Sequence, residues 1–230
     1  MKYKHLFFDL DRTLWDFDAN SHEALQELFE SFELVKRGLP SFEVFYENYK
    51  HINLDLWEKY RNGTVDRPFL SLHRFLNTLR LFQVDDRELA LKMSEEYVRL
   101  VSVKTKLFPD AREVLAYLAP KYHLHVITNG FADVQYRKLE NGGLRAYFDK
   151  VITSEEAGVH KPAPGIFTYA FRQAGACADE SLMIGDDPEV DLKPATVLGM
   201  DQMYVNHEGL LTDEKFTYEV RSLREIMDVL

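Results

Sequence analysis

Five short apolar runs decide what this chain can fold into. Residues 4–8 (KHLFF), 123–128 (HLHVIT), 149–153, 181–185 (SLMIG) and 201–206 (DQMYVN) each have strand length. From the second onward they alternate with helical segments. These are 110–119, stopped by Pro120; a stretch capped by Gly142-Gly143; 164–174, ending at Gly175; and one ending near Gly199. Such alternation predicts βαβ units, and hence a parallel sheet with helices on both faces. Between the first two runs, from about 19 to 101, the pattern is helical only. Leu25, Leu28, Phe29 and Phe32 mark one helix, and Phe45, Tyr49, Ile52 and Leu56 a second. Phe69, Leu72, Leu76 and Leu79 mark a third, with Leu89, Met93 and Leu100 as a fourth. Asn20 with Glu23 has the form of a capping box. A strand-free block at that place reads as an insertion into the sheet domain. The tail, 219–230, reads as an edge segment and a closing helix.

The strand ends carry the chemistry. In an open parallel sheet, ligands bind outside the carboxyl ends of the strands. FFDLDRTL (7–14) ends the first run in Asp9 and Asp11, one residue apart. Alone, that pair is either a solvated loop or a site with something nearby to neutralise it, because like charges repel and burial is costly. The second run ends in Thr128 and Asn129, the loop after the third holds Lys161, and the fourth ends in Asp186 and Asp187, with Asp191 shortly after. Each is an ordinary turn residue; their recurrence at one end of four strands favours a site. Three carboxylates and oxygen ligands suit Mg²⁺. A lysine and a hydroxyl suit a phosphate-type anion. A carboxylate nucleophile then gives an aspartyl-phosphate route, with the second acid of the pair moving the proton. The sequence has no Walker loop and no G-x-S-x-G elbow. The one cysteine, Cys177, sits in a small-residue turn without a nearby His. His123 and His125 alternate on a strand and read as core or edge positions.

These residues resemble the haloacid dehalogenase-like hydrolase superfamily. DLDRTL (9–14) is similar to its first motif, ITNG (127–130) to the second, Lys161-Pro162 to the third and GDDPEVD (185–191) to the fourth. The resemblance implies a Rossmann-like α/β core over 1–14 and 105–230, with a helical C1-type cap over 15–104. It implies Asp9 as nucleophile and Mg²⁺ ligand, and Asp11 as general acid/base with its backbone carbonyl on the metal. Asp186 would be the third metal contact. Thr128 and the Asn129 amide would bind phosphate, and Lys161 would pair with phosphate and Asp9. Asp187 and Asp191 are auxiliary acids, and Thr13 shapes the turn. Dehalogenases resembling this fold lack an acid two residues after the nucleophile, so Asp11 favours phosphoryl transfer. ITNGFADVQYRKLENGGL (127–144) and Trp15-Asp16-Phe17 further resemble the pyrimidine and house-cleaning 5′-nucleotidase branch.

Substrate choice is expected from the cap and the segment entering it. Trp15, Phe17, Asn20 and His22 are placed near the entrance, with Trp57, Arg61 and Arg74 on the cap. Aromatics there would stack on a base and an arginine would grip an anion; Trp57 as cap core and Arg61 as a solvated helix end are the plainer readings. The expected substrate is a nucleoside 5′-monophosphate. Phosphoglycolate, a sugar phosphate or phosphomutase chemistry are alternatives, and a phospho-accepting receiver domain is the alternative of another class. A net charge of −10 argues against binding nucleic acid or an anionic membrane. No run is long enough to span a bilayer, and the apolar stretch after Lys2 and Lys4 is too short for a secretory leader, so a cytoplasmic protein is expected.

Overall fold

A computed structural model describes residues 2–230 and divides into two compact units, residues 2–17 with Thr105–Leu230, and Asp18–Lys104. The first unit is built on six strands: β1 (His5–Phe8), β2 (His123–Thr128), β3 (Lys150–Thr153), β4 (Ser181–Gly185), β5 (Asp201–Val205) and β6 (Tyr218–Val220). Their order is β3-β2-β1-β4-β5-β6, and every neighbouring pair is parallel. The first five match the apolar runs to within a residue or two. β6 lies in the tail, where only an edge segment was legible. The order reverses at β1, which pairs with β2 on one side and β4 on the other. That reversal opens a crevice beyond the carboxyl ends of these strands. Leu6, Phe7 and Phe8 are fully buried, as a central strand covered on both faces requires. Phe7, Ile127, Ile166, Phe167 and Met183 belong to the core on one side of the sheet.

Four helices form the second unit: α1 (Phe17–Ser31, from the residue before the boundary), α2 (Phe42–Arg61), α3 (Arg67–Arg80) and α4 (Arg87–Ser102). The side chains of Ser41, Asp66 and Asp86 cap α2, α3 and α4 by accepting from the N–H groups of Val44, Phe69 and Leu89. The expected capping box does not form, because α1 starts at Phe17 and Asn20 lies inside its first turn, fully buried. Tyr49, Phe75 and Tyr97 make the aromatic centre, with ring centroids 5.1 to 6.0 Å apart. Phe69, expected on the apolar stripe of α3, is exposed, and Arg74 is buried instead. The Arg74 guanidinium lies 4.7 Å from the Tyr97 ring, which offsets part of its desolvation.

Trp15 to Phe17 fall with the sheet unit, three residues beyond the boundary expected after Leu14. Trp15 is fully buried, and the outgoing and returning chains are tied together: Asp16 N–H donates to Lys106 O, and Phe108 N–H to Leu14 O. The remaining helices are α5 (Ala111–Leu118), α6 (Ala132–Asn141), α7 (Ser154–Ala157), α8 (Pro164–Ala174), α9 (Lys193–Val197) and α10 (Ile226–Val229).

Candidate active site

The β1 strand delivers Asp9 into the crevice, its N–H held by Ile184 O of β4 at 2.9 Å. Asp9 is 7% exposed. The chain then turns sharply. Arg12 takes the left-handed conformation (φ 67°), and the N–H groups of Leu14 and Trp15 both return to Leu10 O. A non-glycine residue with that φ is uncommon and strained, and here it sits between Asp11 and Thr13. Thr13 does more than shape the turn. Its hydroxyl lies 2.9 Å from Asp186 Oδ1, so the first and fourth strand ends are joined.

Lys161 is the buried cation at the centre. It is 2% exposed, and its Nζ donates to Asp9 Oδ1 at 2.5 Å, Asp191 Oδ1 at 2.6 Å and Ile127 O at 2.9 Å. All three ammonium hydrogens have an acceptor. Asn129 fixes the lysine's backbone: its amide donates to Lys161 O, and its Oδ1 accepts from Lys161 N–H. Sequence reasoning gave Asn129 only a backbone role. Thr128, 2% exposed, accepts from Gly130 N–H at 3.0 Å, which leaves its own hydroxyl hydrogen to donate.

The fourth strand end separates two acids that the sequence left equal. After β4, Pro188–Leu192 form a wide π-type turn. Asp187 caps it, accepting from the N–H groups of Glu189 and Val190. Asp191, on the same turn, points back to Lys161 and is 1% exposed. Its carboxylate lies where Gly185 has no side chain; a Cβ there would be 2.4 Å from Asp191 Oδ2.

Oxygens of Asp9, Asp186 and Asp191 all lie within 4.8 Å of one another. Burial raises Asp9 to about 7, with Asp191 and Asp11 adding to the rise and Lys161 opposing it. Burial and the neighbouring Asp9 raise Asp186 to about 7, against the Thr13 hydrogen bond. Burial raises Asp191 to about 6, against Lys161. For Lys161, burial alone would favour the neutral amine, but Asp191 and Asp9 outweigh it and the net shift is upward. One lysine cannot offset three acids, Asp9 and Asp191 buried and Asp186 half-buried, so negative charge is in excess. An all-oxygen set with that excess fits a hard divalent cation such as Mg²⁺. Asp9 and Asp186, with the Asp11 backbone carbonyl, are the groups that would hold it, since both Asp191 oxygens already accept, from Lys161 Nζ and from the Asp187 N–H.

Asp11 is held by two residues that the motifs did not reveal. Gln135 Nε2 donates to Asp11 Oδ2 at 2.8 Å, and Lys138 Nζ to Asp11 Oδ1 at 2.6 Å. Both come from α6, where Val134, Gln135, Lys138 and Leu139 are the buried positions. Burial pushes Lys138 down, against the pull of Asp11. The signal was present: two polar residues with i, i+3 spacing stand on the helix's apolar stripe.

The residues expected to choose the substrate are divided between the two units. Trp15 is fully buried, with Lys138 Nζ 3.9 Å from its ring, so it offers no stacking face. Phe17 is half-buried, 4.8 Å from the Arg12 guanidinium. Asn20, Trp57 and Arg61 belong to the helical unit. Asn20 is buried inside α1, Trp57 is half-buried against Tyr60, and Arg61 is half-buried at the end of α2.

A parallel sheet whose switch point gathers three acids round one buried lysine, with a hydroxyl at the next strand end, has the form of an α/β-fold hydrolase that works through carboxylates. The chain belongs to the haloacid dehalogenase-like hydrolase family, whose model matches residues 3–199. Pyrimidine 5′-nucleotidase YjjG of Escherichia coli is 32% identical over all of this chain and 99% of its own length. Pyrimidine 5′-nucleotidase PynA of Streptococcus pneumoniae is 30% identical, covering 100% of this chain and 96% of that protein. The magnesium-bound crystal structure of HAD-hydrolase YfnB from Bacillus subtilis superposes with a TM-score of 0.89 at 28% identity, over 100% of this chain and 99% of that one.

Proposed function

We propose that the protein is a Mg²⁺-dependent phosphomonoesterase working through an aspartyl phosphate on Asp9, with nucleoside 5′-monophosphates as substrates. The observation that carries the reading is the buried Asp9–Lys161–Asp191 ion network beside Asp186, with a second acid, Asp11, two residues beyond the nucleophile. The nucleotide part is supported by the pyrimidine nucleotidases YjjG and PynA, similar over their whole length.

Lys161 fixes the Asp9 carboxylate and sets positive charge beside the arriving phosphoryl group. The Thr128 hydroxyl and the N–H groups of the loop after β2 bind phosphate oxygens. Asp9, Asp186 and the Asp11 carbonyl would hold Mg²⁺, which would supply further positive charge against the phosphoryl oxygens. Asp9 forms a bond to phosphorus as the bond to the leaving oxygen breaks, and Asp11 gives that oxygen a proton. Water then attacks the phosphorus, Asp11 takes its proton, and the bond to Asp9 breaks to release inorganic phosphate.

Phosphate release from a panel of nucleoside monophosphates, sugar phosphates and phosphoglycolate tests the reading. The expected result is multiple turnover, highest kcat/KM on nucleoside monophosphates, silence in EDTA and recovery with Mg²⁺. Indifference to EDTA and Mg²⁺ overturns the metal. Preference for a sugar phosphate or phosphoglycolate overturns the substrate class. A single stoichiometric release, and only from an acyl phosphate, overturns the enzyme reading in favour of a receiver.

A further inference from the structure

The reaction asks Asp11 to present its carboxyl group to the leaving oxygen, and an aspartate at a turn beside a left-handed Arg12 has several rotamers open to it. In the structure both Asp11 oxygens are held, one by each of two side chains from α6, at 2.8 Å (Gln135) and 2.6 Å (Lys138). The holders are more deeply buried than the group they hold. Gln135 is 1% and Lys138 3% exposed, whereas the Asp11 side chain is 24% exposed. The outer side of the carboxyl group is therefore left open to a substrate.

Packing does not call for either residue. A leucine and a methionine would fill the same face of α6 without the cost of burying an amide and an ammonium group. The surroundings are shaped to keep them. Lys138 Nζ lies 3.9 Å from the Trp15 ring and 5.4 Å from the Phe17 ring, a cation–π seat made by the segment that follows the first motif. Gly130 is the clearance for Gln135. A Cβ at residue 130 would fall 1.6 Å from Gln135 Nε2, so any side chain there expels the amide from its place. Gln135 Oε1 has no hydrogen-bond partner among the described residues. A half-turn of the amide would present that acceptor to Asp11 instead of the donor, so one residue can hold the group with or without its proton.

We infer that Gln135 and Lys138 are positioning residues that aim the Asp11 carboxyl group at the leaving oxygen, with Gly130 as the space that lets Gln135 reach it. This rests on the reading of Asp11 as the general acid. Neither residue touches the substrate. They act through Asp11, so their loss is felt where the leaving group needs a proton and little where it does not.

The test compares kcat/KM for a nucleoside monophosphate, whose alkoxide leaving group needs a proton, with that for p-nitrophenyl phosphate, whose phenolate does not. This ratio reports steps only up to leaving-group departure, so hydrolysis of the phosphoenzyme does not enter. Gln135→Leu, Lys138→Met and Gly130→Ala are assayed beside Asp11→Asn, with Tm and circular dichroism as the check on folding. For the three α6 and loop variants, kcat/KM on the nucleotide falls about ten- to a hundredfold. On the aryl ester Gln135→Leu and Lys138→Met stay within about threefold, and their KM for the nucleotide changes little. Where Lys138→Met folds poorly, the volume-matched Gln135→Leu carries the comparison. Equal losses on both esters, or no loss on either, while Asp11→Asn still separates them, overturn the positioning role and leave Asp11 as the acid. If Asp11→Asn itself fails to separate the esters, the acid assignment falls and the positioning role falls with it.

Discussion

The two ends of the β1–β2 strand pair bury titratable groups of opposite kind, and burial drives both toward neutrality. At the carboxyl ends, burial raises Asp9, and with it Asp186 at the end of the adjoining β4, to about 7. At the amino ends, burial lowers His125 to about 4, and it lowers the neighbouring His5 as well. The registers explain the second group: His5 pairs with His123 and Phe7 with His125, so the rings stack along one face of the sheet. The ends differ in what burial leaves behind. A neutral imidazole needs no counter-charge, and His5 Nδ1 and His125 Nε2 share a hydrogen bond at 3.1 Å. The carboxylates are not left to neutralise themselves, since Lys161 is placed among them and stays charged. Burial alone makes core; burial with a charge only partly offset makes a site.

The largest break in this comparison is Asp9→Asn. It removes the proposed nucleophile and also one of the excess charges. Turnover should fall by at least about a thousandfold, with Tm held or raised. Phosphate release near the wild-type rate would sink the covalent route.

Lys161→Met comes next, because it leaves Asp9 and Asp191 buried without their cation. Removing one member of a buried ion network costs about 3–5 kcal/mol, read as a lower urea midpoint. Adding Asp191→Leu should recover part of the loss, since the second change removes one stranded acid. An unchanged midpoint in Lys161→Met would mean that the three acids do not depend on this lysine.

Removing the metal reads the same excess charge through pH. In the cation-free protein, Asp9 and Asp186 have folded values of about 7, against 3.8 for an ordinary aspartate. Between those values the folded state holds protons that the unfolded chain has released, so this contribution weakens as pH rises from about 4 to 7. A cation that binds the ionised acids reverses it. The difference in Tm between Mg²⁺ and EDTA should therefore widen with pH across this window. A difference that stays constant or narrows would refute the acid cluster as the cation site.

Much of this was legible before any coordinates, because it rests on local pattern and on one topological rule. Apolar runs ending in polar residues placed Asp9, Thr128, Lys161 and Asp186 at one edge of one sheet. What stayed hidden depends on side chains crossing between elements. Asp191 gains its place from a π-type turn and the missing Cβ of Gly185. Lys138 and Gln135 stand on the apolar stripe of α6 in sequence, but that Asp11 is their partner follows only from the placement of that helix against the first turn. Trp15 follows the motif and so reads in sequence as an entrance aromatic, but its backbone bridges to the returning chain at Leu107 and its side chain is fully buried.

The smallest effect tests the histidine end. Folded His125 titrates near 4 and an ordinary histidine near 6.5. The stability it gives is complete above pH 6.5 and is lost as pH falls toward 4, because the unfolded chain takes up a proton that the folded chain refuses. At pH 5 the loss is about 2 kcal/mol. His125→Phe keeps a flat ring against Phe7 and removes a buried Nδ1 that has no partner among the described residues. The variant should match the wild type in activity at pH 7 and surpass it in stability at pH 5, with the gap closing as pH rises. A gap independent of pH would mean that packing, not protonation, sets the difference. A fall in activity at pH 7 would join the two ends of the strand pair, which burial by itself keeps separate.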